Sequence, residues 1–335
     1  MNTLDKRLFG VITWIVVAAA VASGQGEGAI RRLDPLLDGI VPANAHLEKV
    51  HGGFRFIEGP VWVRAGGYLL FSDLMDNAIM KWTPDDVVTV FRKPVFPAQF
   101  PDGALIGSNG LALDAQGRLL AAEHGNRRIT RTEKDGSITV LADRYEGKRL
   151  NSPNDLVAKK NGDVYFTDPT ALLRTFPGDP PAQLRQELDF NGIYRIKGPG
   201  NIDLVTRAVP YPNGIVFSPD EKRLYVANSR PEKFWMVFDV RDDGSVVNGR
   251  KFLDLSDDKT DQVPDGMKVD TRGNVYLSGP GGVRVVTPAG QQLGVIQVPE
   301  IVANLAWGDA DNKTLYITAR TSLYRMRLNV TGVRP

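Results

Sequence analysis

A hairpin pattern that recurs six times constrains the fold of this chain more than any other feature of its sequence. Each copy starts with a polar residue, usually followed by Gly, and continues as an apolar strand, a Gly or Asn turn and a second β-rich strand. The copies start at Glu58, Asn109, Asn154, Asn213, Asp265 and Asn304. A single hairpin cannot bury its apolar faces alone, so units repeated every ~40 to 60 residues have to stack on one another. The pattern therefore predicts an all-β fold, a six-bladed β-propeller with about four strands in each blade.

The two ends of the chain decide how such a ring of blades closes. After the first strand of the sixth copy, two more strands can be placed at Thr314–Thr318 and Leu323–Leu328, and the chain ends soon afterwards. The sixth blade is therefore one strand short and would expose a strand edge. We expect the segment His46–Val50 to supply its outer strand, so that residues 46–335 form one propeller closed by an N-terminal strand. Residues 25–45 form a separate N-terminal segment in this interpretation.

The first 24 residues have the pattern of an export signal. Lys6 and Arg7 precede an uncharged apolar run that ends at Ala22, and small residues follow. The last three residues of this run, Ala-Val-Ala, fit the small-x-small pattern of a cleavage site. We predict a signal peptide over residues 1–24, with an uncleaved N-terminal anchor as the alternative. In either case we expect the folded part to lie outside the cytoplasm, as a periplasmic or secreted protein without membrane contact after cleavage.

Charge and composition exclude several classes of function. The 335 residues include 41 Lys and Arg against 39 Asp and Glu, a formal net charge of only +2, and they contain no run of basic residues. Nucleic acid is therefore not an expected partner. Cysteine is absent, which excludes disulfides, thiolate metal sites and a cysteine nucleophile. The chain also lacks the Gly-x-Ser-x-Gly motif of serine hydrolases and the His-Glu-x-x-His motif of zinc proteases.

The polar residues that start the six copies are expected to meet on one axis. The innermost strand of each propeller blade lines a central channel, so equivalent residues converge near one mouth of that channel. Two carboxylates and four amides form an all-oxygen set that suits Ca²⁺, with Mn²⁺, Zn²⁺ and Mg²⁺ as alternatives. Asn109 and Asn304 are also typical turn residues, and we favour the turn role for both. Glu58 is a poor turn residue, and a cation would offset the cost of burying its carboxylate.

Five motifs, taken in order, resemble those of one known family. They are Glu58-Gly-Pro-Val-Trp, Leu150-Asn-Ser-Pro-Asn154-Asp, Phe166-Thr-Asp-Pro, Pro212-Asn213-Gly and Pro264-Asp265-Gly-Met. Over about residues 50–328 the chain resembles the SMP-30/gluconolactonase family, which includes regucalcin-like proteins. The resemblance implies a six-bladed propeller with one catalytic divalent metal ion and lactonase or related esterase activity. It also implies that Glu58, Asn213 and Asp265 are metal ligands, and that Asn154 binds either the metal or the substrate.

These residues favour the hydrolysis of a small ester, with a sugar-type lactone as the first candidate. A dication could polarise the ester carbonyl and acidify the attacking water. Asp265 is the candidate general base, and His124 could pass a proton to the leaving alkoxide. Asn109 and Asn154 could bind ring hydroxyls, and Arg174, in an insertion of the third blade, could select the substrate. Phosphotriesterase-like or arylesterase-like hydrolysis and a non-catalytic, metal-stabilised binding propeller are the alternatives, because fold alone does not decide function.

Overall fold

The computed structural model describes residues 28–98, 100–171 and 185–334 of the chain. Within these ranges the regular structure is β, apart from one 3-10 helix at Pro35–Gly39. Six antiparallel sheets of four or five strands follow one another along the sequence. Their innermost strands contact one another in ring order, from the first blade to the sixth and back to the first. The all-β, six-bladed β-propeller predicted from the repeat is therefore confirmed.

The first half of the chain forms three blades and a small hairpin. Two short strands come before the blades, β1 (Ile30–Arg32) and β2 (Glu48–Gly52). Blade 1 consists of β3 to β6, at Ile57–Val63, Tyr68–Asp73, Ala78–Thr83 and Val87–Arg92. Blade 2 consists of β7 to β10, at Ser108–Leu113, Leu119–Glu123, Arg128–Thr132 and Ile138–Ala142. The hairpin strands β11 and β12 lie at Arg144–Tyr145 and Lys148–Arg149. Blade 3 consists of β13 to β16, at Leu156–Ala158, Val164–Asp168, Gly192–Gly198 and Asn201–Thr206.

The second half of the chain forms the other three blades. Blade 4 consists of β17 to β20, at Pro212–Phe217, Arg223–Asn228, Phe234–Val240 and Val246–Asp254. Blade 5 consists of β21 to β24, at Met267–Val269, Val275–Gly279, Gly282–Val286 and Gln292–Ile296. Blade 6 consists of β25 to β27, at Val302–Gly308, Thr314–Ala319 and Ser322–Arg327.

The N-terminal strands attach to the last two blades. Strand β2 pairs antiparallel with β27 and forms the outer strand of blade 6, with Glu48 opposite Arg325. The closing strand therefore begins two residues later than the expected segment His46–Val50. Strand β1 pairs with β24 and adds a fifth strand to blade 5, with Ile30 opposite Ile296. The segment treated as separate from the propeller thus contributes a strand to it.

The hydrophobic core is divided among the interfaces between blades. Each of six clusters of buried side chains joins two neighbouring blades, including one that joins blade 6 to blade 1. At that junction Trp62 of β3 stacks on Tyr316 of β26, with ring centroids 5.5 Å apart and ring planes 12° apart. Burial between blades holds the ring closed, and the closed ring brings the starts of the inner strands together.

Two sequence-based predictions fall on residues outside the described ranges. These are the signal peptide over residues 1–24 and the substrate contact of Arg174. In the described ranges, no helix is long and apolar enough to span a bilayer. The signal peptide and the role of Arg174 therefore stay predictions.

Candidate functional site

Polar side chains from the starts of five inner strands meet at one end of the channel. The side chains of Glu58, Asn109, Asn154 and Asn213 are all less than a tenth exposed, and Asp265 is partly buried. Hydrogen bonds link neighbouring blades at this level: the amide of Gly110 donates to the Asn154 carbonyl, and the hydroxyls of Ser72 and Thr167 donate to the carbonyls of Asn109 and Asn213. We call the five residues at the strand starts the polar ring. It brings together every predicted metal ligand.

The sixth position of this ring belongs to Ala303, not to Asn304. The amide of Gly266 donates to the carbonyl of Ala303 at 2.8 Å, just as the amide of Gly110 donates to that of Asn154 at 2.7 Å. The strand pairing supports this assignment. Ala306 pairs with Tyr316 in blade 6, and Val61 occupies the equivalent position in blade 1, where it pairs with Leu70. Counting back three residues from each gives Ala303 and Glu58. The prediction that Asn304 starts the sixth copy is therefore wrong by one residue.

The amide oxygens of the polar ring lack hydrogen-bond donors. Within the part of the chain that the structure describes, the buried Oδ1 atoms of Asn109, Asn154 and Asn213 accept no hydrogen bond. The orientation of the Asn213 amide is set by its other end, because Nδ2 donates to Ser229 Oγ at 3.0 Å. A buried acceptor without a donor costs free energy, so three of them in one ring indicate a missing positive partner.

The carboxylates of the ring repel one another in the absence of a cation. Burial, and next the charge of Asp155, raise the pKa of Glu58 to about 7. Burial also raises the pKa of Asp265 well above its usual range, and the nearby charges of Glu58 and Asp155 add to that effect. A raised pKa of this kind favours the protonated carboxyl, and a bound cation would favour the carboxylate instead.

The donor set fits a hard divalent cation. Two carboxylates and three unpartnered amide oxygens supply only oxygen, the ligand that Ca²⁺ prefers. Among the described residues no group of three or more His, Asp and Glu side chains has metal-binding geometry, so a site here depends on its amides. Glu58, Asn154, Asn213 and Asp265 are the residues that could hold the ion.

A second layer beneath the ring was not anticipated. It consists of Asp155 and Asn304, which occupy equivalent positions: each side-chain Oδ1 accepts the amide of the next residue, at 2.9 and 2.8 Å. Four other blades have Gly here. A Cβ at Gly266 would lie 2.0 Å from the Cγ of Asn304, and one at Gly110 would lie 2.6 Å from Asp155 Oδ1. The glycines therefore make room for two buried polar side chains, and the breaks in the Gly pattern were the signal that could have revealed them.

One ammonium group lies near this second layer. Lys268 donates to the carbonyl of Met267 at 3.1 Å and to Asn304 Oδ1 at 3.3 Å. Burial raises the pKa of Asp155, and the charge of Lys268 acts in the opposite direction. The equivalent residue in every other blade is Val or Ala. The lysine at the fourth position of the fifth copy could therefore have been recognised from the sequence as unusual.

The loop that carries Asn154 is anchored from beneath. Asp168 Oδ2 accepts the amide of Asn151 at 2.8 Å, and the side chain of Ser152 donates to the Pro169 carbonyl at 2.6 Å. The amide of Asn154 itself donates to the Thr167 carbonyl at 2.8 Å. Burial raises the pKa of Asp168 to about 7. The Asn-Ser-Pro-Asn and Phe-Thr-Asp-Pro motifs thus form one supporting unit.

His124 is buried next to the loop that carries Asn154. It follows β8 directly and is 1% exposed. Burial lowers its pKa to about 4, although the Ser152 backbone acts in the opposite direction. The imidazole is therefore neutral at pH 7, and a neutral imidazole is a poor proton donor.

The opposite end of the channel has a different character. A cavity of about 410 Å³ is lined there by residues of all six inner strands, among them Val61, Leu113, Val157, Phe217, Val269 and Trp307. Lys268 lies on its wall, and Lys160 and Glu221 also line it. The lining of this cavity is mainly aliphatic and aromatic, and we call this second region the apolar mouth.

The chain matches one family model over most of its length. That model, described as SMP-30/Gluconolactonase/LRE-like region, matches residues 56–321. A gluconolactonase from Zymomonas mobilis subsp. mobilis is 35% identical over 321 residues, which cover 92% of this chain and 89% of that protein. A regucalcin from Oryctolagus cuniculus is 25% identical over 283 residues, covering 83% and 85%. A solved structure of a gluconolactonase from Xanthomonas campestris superposes with a TM-score of 0.78 at 34% identity, covering 89% and 94%.

Proposed function

Because the chain belongs to the SMP-30/gluconolactonase/LRE-like family, we propose that it hydrolyses a lactone at the polar ring with the help of a divalent cation. Water adds to the ester carbonyl, the ring C–O bond breaks, and the leaving oxygen takes a proton to give a hydroxy acid. The observation that carries this proposal is the convergence of two carboxylates and three unpartnered amide oxygens at one end of the channel.

Four residues would hold the cation, and Ca²⁺ is the first candidate. Glu58 and Asp265 supply two negative charges, and Asn154 and Asn213 supply neutral oxygens. Mn²⁺, Zn²⁺ and Mg²⁺ are the alternatives. When bound there, a dication supplies Lewis acidity toward the ester carbonyl and lowers the pKa of water. The charge of Lys268 favours the ionised form of Asp155, although burial of this carboxyl outweighs it and raises its pKa.

The remaining steps belong to side chains of the chain itself. We propose that Asp265 takes the proton from the attacking water, and that Asn109 and Asn154 orient the ring hydroxyls of the substrate. Arg174 is proposed to contact the substrate from the third-blade insertion. For His124 the low pKa argues against donation of a proton to the leaving alkoxide, so the proton is assigned to solvent.

The test is hydrolysis by metal-stripped and metal-loaded protein. Proton release from gluconolactone, corrected for spontaneous hydrolysis, should vanish after chelation and return with Ca²⁺. Linear and aryl esters and a phosphotriester form the comparison panel. Gluconolactone should be hydrolysed fastest, because amides of the polar ring can bind hydroxyls that the other substrates lack.

The same assay separates the other functions that this site could serve. Faster turnover of the aryl ester or phosphotriester would replace the lactone as the substrate class. Hydrolysis that survives chelation would contradict the metal-dependent mechanism. A loaded protein that turns over none of the panel would favour a binding propeller.

We also propose that the protein is exported, to the periplasm or the medium. The support is the basic, apolar and small-residue pattern over residues 1–24. Fusion of residues 1–30 to a reporter that is active only outside the cytoplasm tests this directly. The reporter should be active, and mass spectrometry of the product should find the N-terminus close to residue 24 if cleavage occurs.

A further inference from the structure

The buried side chain of Asn304 is engaged at both ends of its amide. Its Nδ2 donates to Glu58 Oε2 at 2.9 Å and to Asp155 Oδ2 at 3.3 Å. Its Oδ1 accepts the backbone amide of Leu305 at 2.8 Å and the ammonium of Lys268 at 3.3 Å. Asn304 is only 1% exposed, so these four contacts account for the whole polar surface of the amide.

These contacts leave the amide only one orientation. Both partners on one side are donors, the Leu305 amide and the Lys268 ammonium, and they require an oxygen. Both partners on the other side are carboxylates, which require an NH₂ group. A reversed amide would set oxygen against two carboxylates and NH₂ against two donors. Asn304 therefore presents its NH₂ group toward Glu58.

The same contacts give the two carboxylate oxygens of Glu58 different roles. Oε2 receives the Asn304 Nδ2 and also the backbone amide of Gly59. With two donors, Oε2 is saturated and fixed in place, which leaves Oε1 to face the other ligands of the polar ring. Gly266 supports this arrangement, because any Cβ there would overlap the Asn304 side chain.

We propose that Asn304 is a positioning residue that holds Glu58 so that Oε1 binds the divalent cation. This inference rests on the proposed metal-dependent function. Asn304 acts through Glu58 and does not itself contact the substrate. Positioning contacts of this kind typically change metal affinity or activity by about 10- to 100-fold.

The test compares two Asn→Leu variants that break chemically similar bonds. Asn304→Leu removes the donor to Glu58. Asn274→Leu is the matched control, because Asn274 is also buried and its Nδ2 donates to a carboxylate, Asp270 Oδ2, at 2.8 Å, in a turn of blade 5. For each variant, calorimetry gives the Kd of stripped protein for Ca²⁺, thermal unfolding gives the Tm, and gluconolactone hydrolysis gives kcat and KM.

We expect Asn304→Leu to weaken Ca²⁺ binding about 10- to 100-fold and to lower kcat at saturating Ca²⁺ with little change in KM. Asn274→Leu should lower the Tm and leave the Kd for Ca²⁺ unchanged. If Asn304→Leu does not fold, Asn304→Ser and Asn274→Ser replace the pair, because Ser is too short to reach the carboxylates.

The outcomes separate this inference from the function on which it rests. Parental Ca²⁺ affinity in the Asn304 variants, with an active and calcium-dependent parent, overturns the positioning role alone. A parent that binds no divalent cation overturns both proposals. Equal losses of Ca²⁺ affinity in the Asn304 and Asn274 variants also overturn the positioning role, since a general loss of stability would then explain them.

Discussion

The two ends of the channel are built from the same six strands and differ in almost every chemical property. At the starts of the strands, the polar ring gathers oxygen atoms that lack donors and carboxylates with raised pKa values. At their far ends, the apolar mouth offers a cavity of about 410 Å³ with a mainly aliphatic and aromatic lining. Cavity volume therefore does not by itself locate a metal site, because the proposed chemistry needs converging charge.

The largest expected effect is the loss of Glu58 as a ligand. Glu58→Gln removes one of two ligand charges, so kcat/KM for gluconolactone at limiting Ca²⁺ should fall by about 100-fold or more. Glu221→Gln makes the same chemical change at the apolar mouth and should leave kcat/KM within about twofold, the range of an ordinary surface change. Initial rates over a Ca²⁺ titration check both. Equal rates for Glu58→Gln and the parent would mean that the ion binds elsewhere.

A smaller effect is expected from the carboxylate beneath the ring. Asp155→Asn removes a negative charge from beneath the ring while the ammonium of Lys268 stays, so the Kd for Ca²⁺ should rise about 10- to 100-fold. Asp114→Asn is the control, because Asp114 is also buried but lines the apolar mouth and pairs with Arg118 at 2.7 Å. Calorimetry of the stripped proteins measures both constants. If the Kd for Ca²⁺ rises as much in Asp114→Asn as in Asp155→Asn, the effect is not specific to the end of the channel that carries the polar ring.

A third prediction concerns how the increase in Tm on adding Ca²⁺ depends on pH. The pKa of Glu58 is about 7 in the folded, metal-free protein against 4.5 for a solvated glutamate, so between these values the folded form binds more protons. Raising the pH through this window therefore destabilises the stripped protein, whereas bound Ca²⁺ replaces the proton. We expect the increase in Tm on adding Ca²⁺ to be small at about pH 5 and to grow toward pH 8.

Asp168 and His124, which are not proposed ligands, also make the absolute Tm depend on pH. The raised pKa of Asp168 also lowers stability as pH rises, and the lowered pKa of His124 acts in the opposite sense between its two values. Neither depends on Ca²⁺ in the proposed mechanism. Measuring each pH with and without Ca²⁺ therefore cancels both contributions. If the increase in Tm on adding Ca²⁺ is the same at every pH, Ca²⁺ does not replace a proton on Glu58.

The smallest effect is expected at the apolar mouth itself. Lys160 lines that cavity, and its side chain is exposed. Lys160→Met should change neither kcat/KM nor the Kd for Ca²⁺ by more than about twofold, because the ammonium is screened and far from the ring. Steady-state kinetics with gluconolactone would reveal an exception. A tenfold fall in kcat/KM would indicate that substrate enters through the apolar mouth.

Much of the architecture could be predicted from local pattern. Repeated hairpins with polar starts specify stacked blades, and a sixth copy that lacks one strand requires another segment at its edge. The residues of the polar ring could be found in the same way, because one position in each repeat converges on the axis. Glu58, Asn154, Asn213 and Asp265 therefore came directly from sequence position.

The tertiary structure decided how the layers beneath the ring fit together. Asn304 contacts Glu58 across 246 positions of sequence and Asp155 across 149, and no local pattern records such contacts. The one-residue offset of blade 6 became visible only when the inner strand was counted against its paired strand. The blades and their polar starts could be predicted from the sequence, since hairpins and the alternation of side chains are local features. The order of side chains along the axis required the closed ring, because ring closure alone brings blades 1, 3 and 6 into contact at one point.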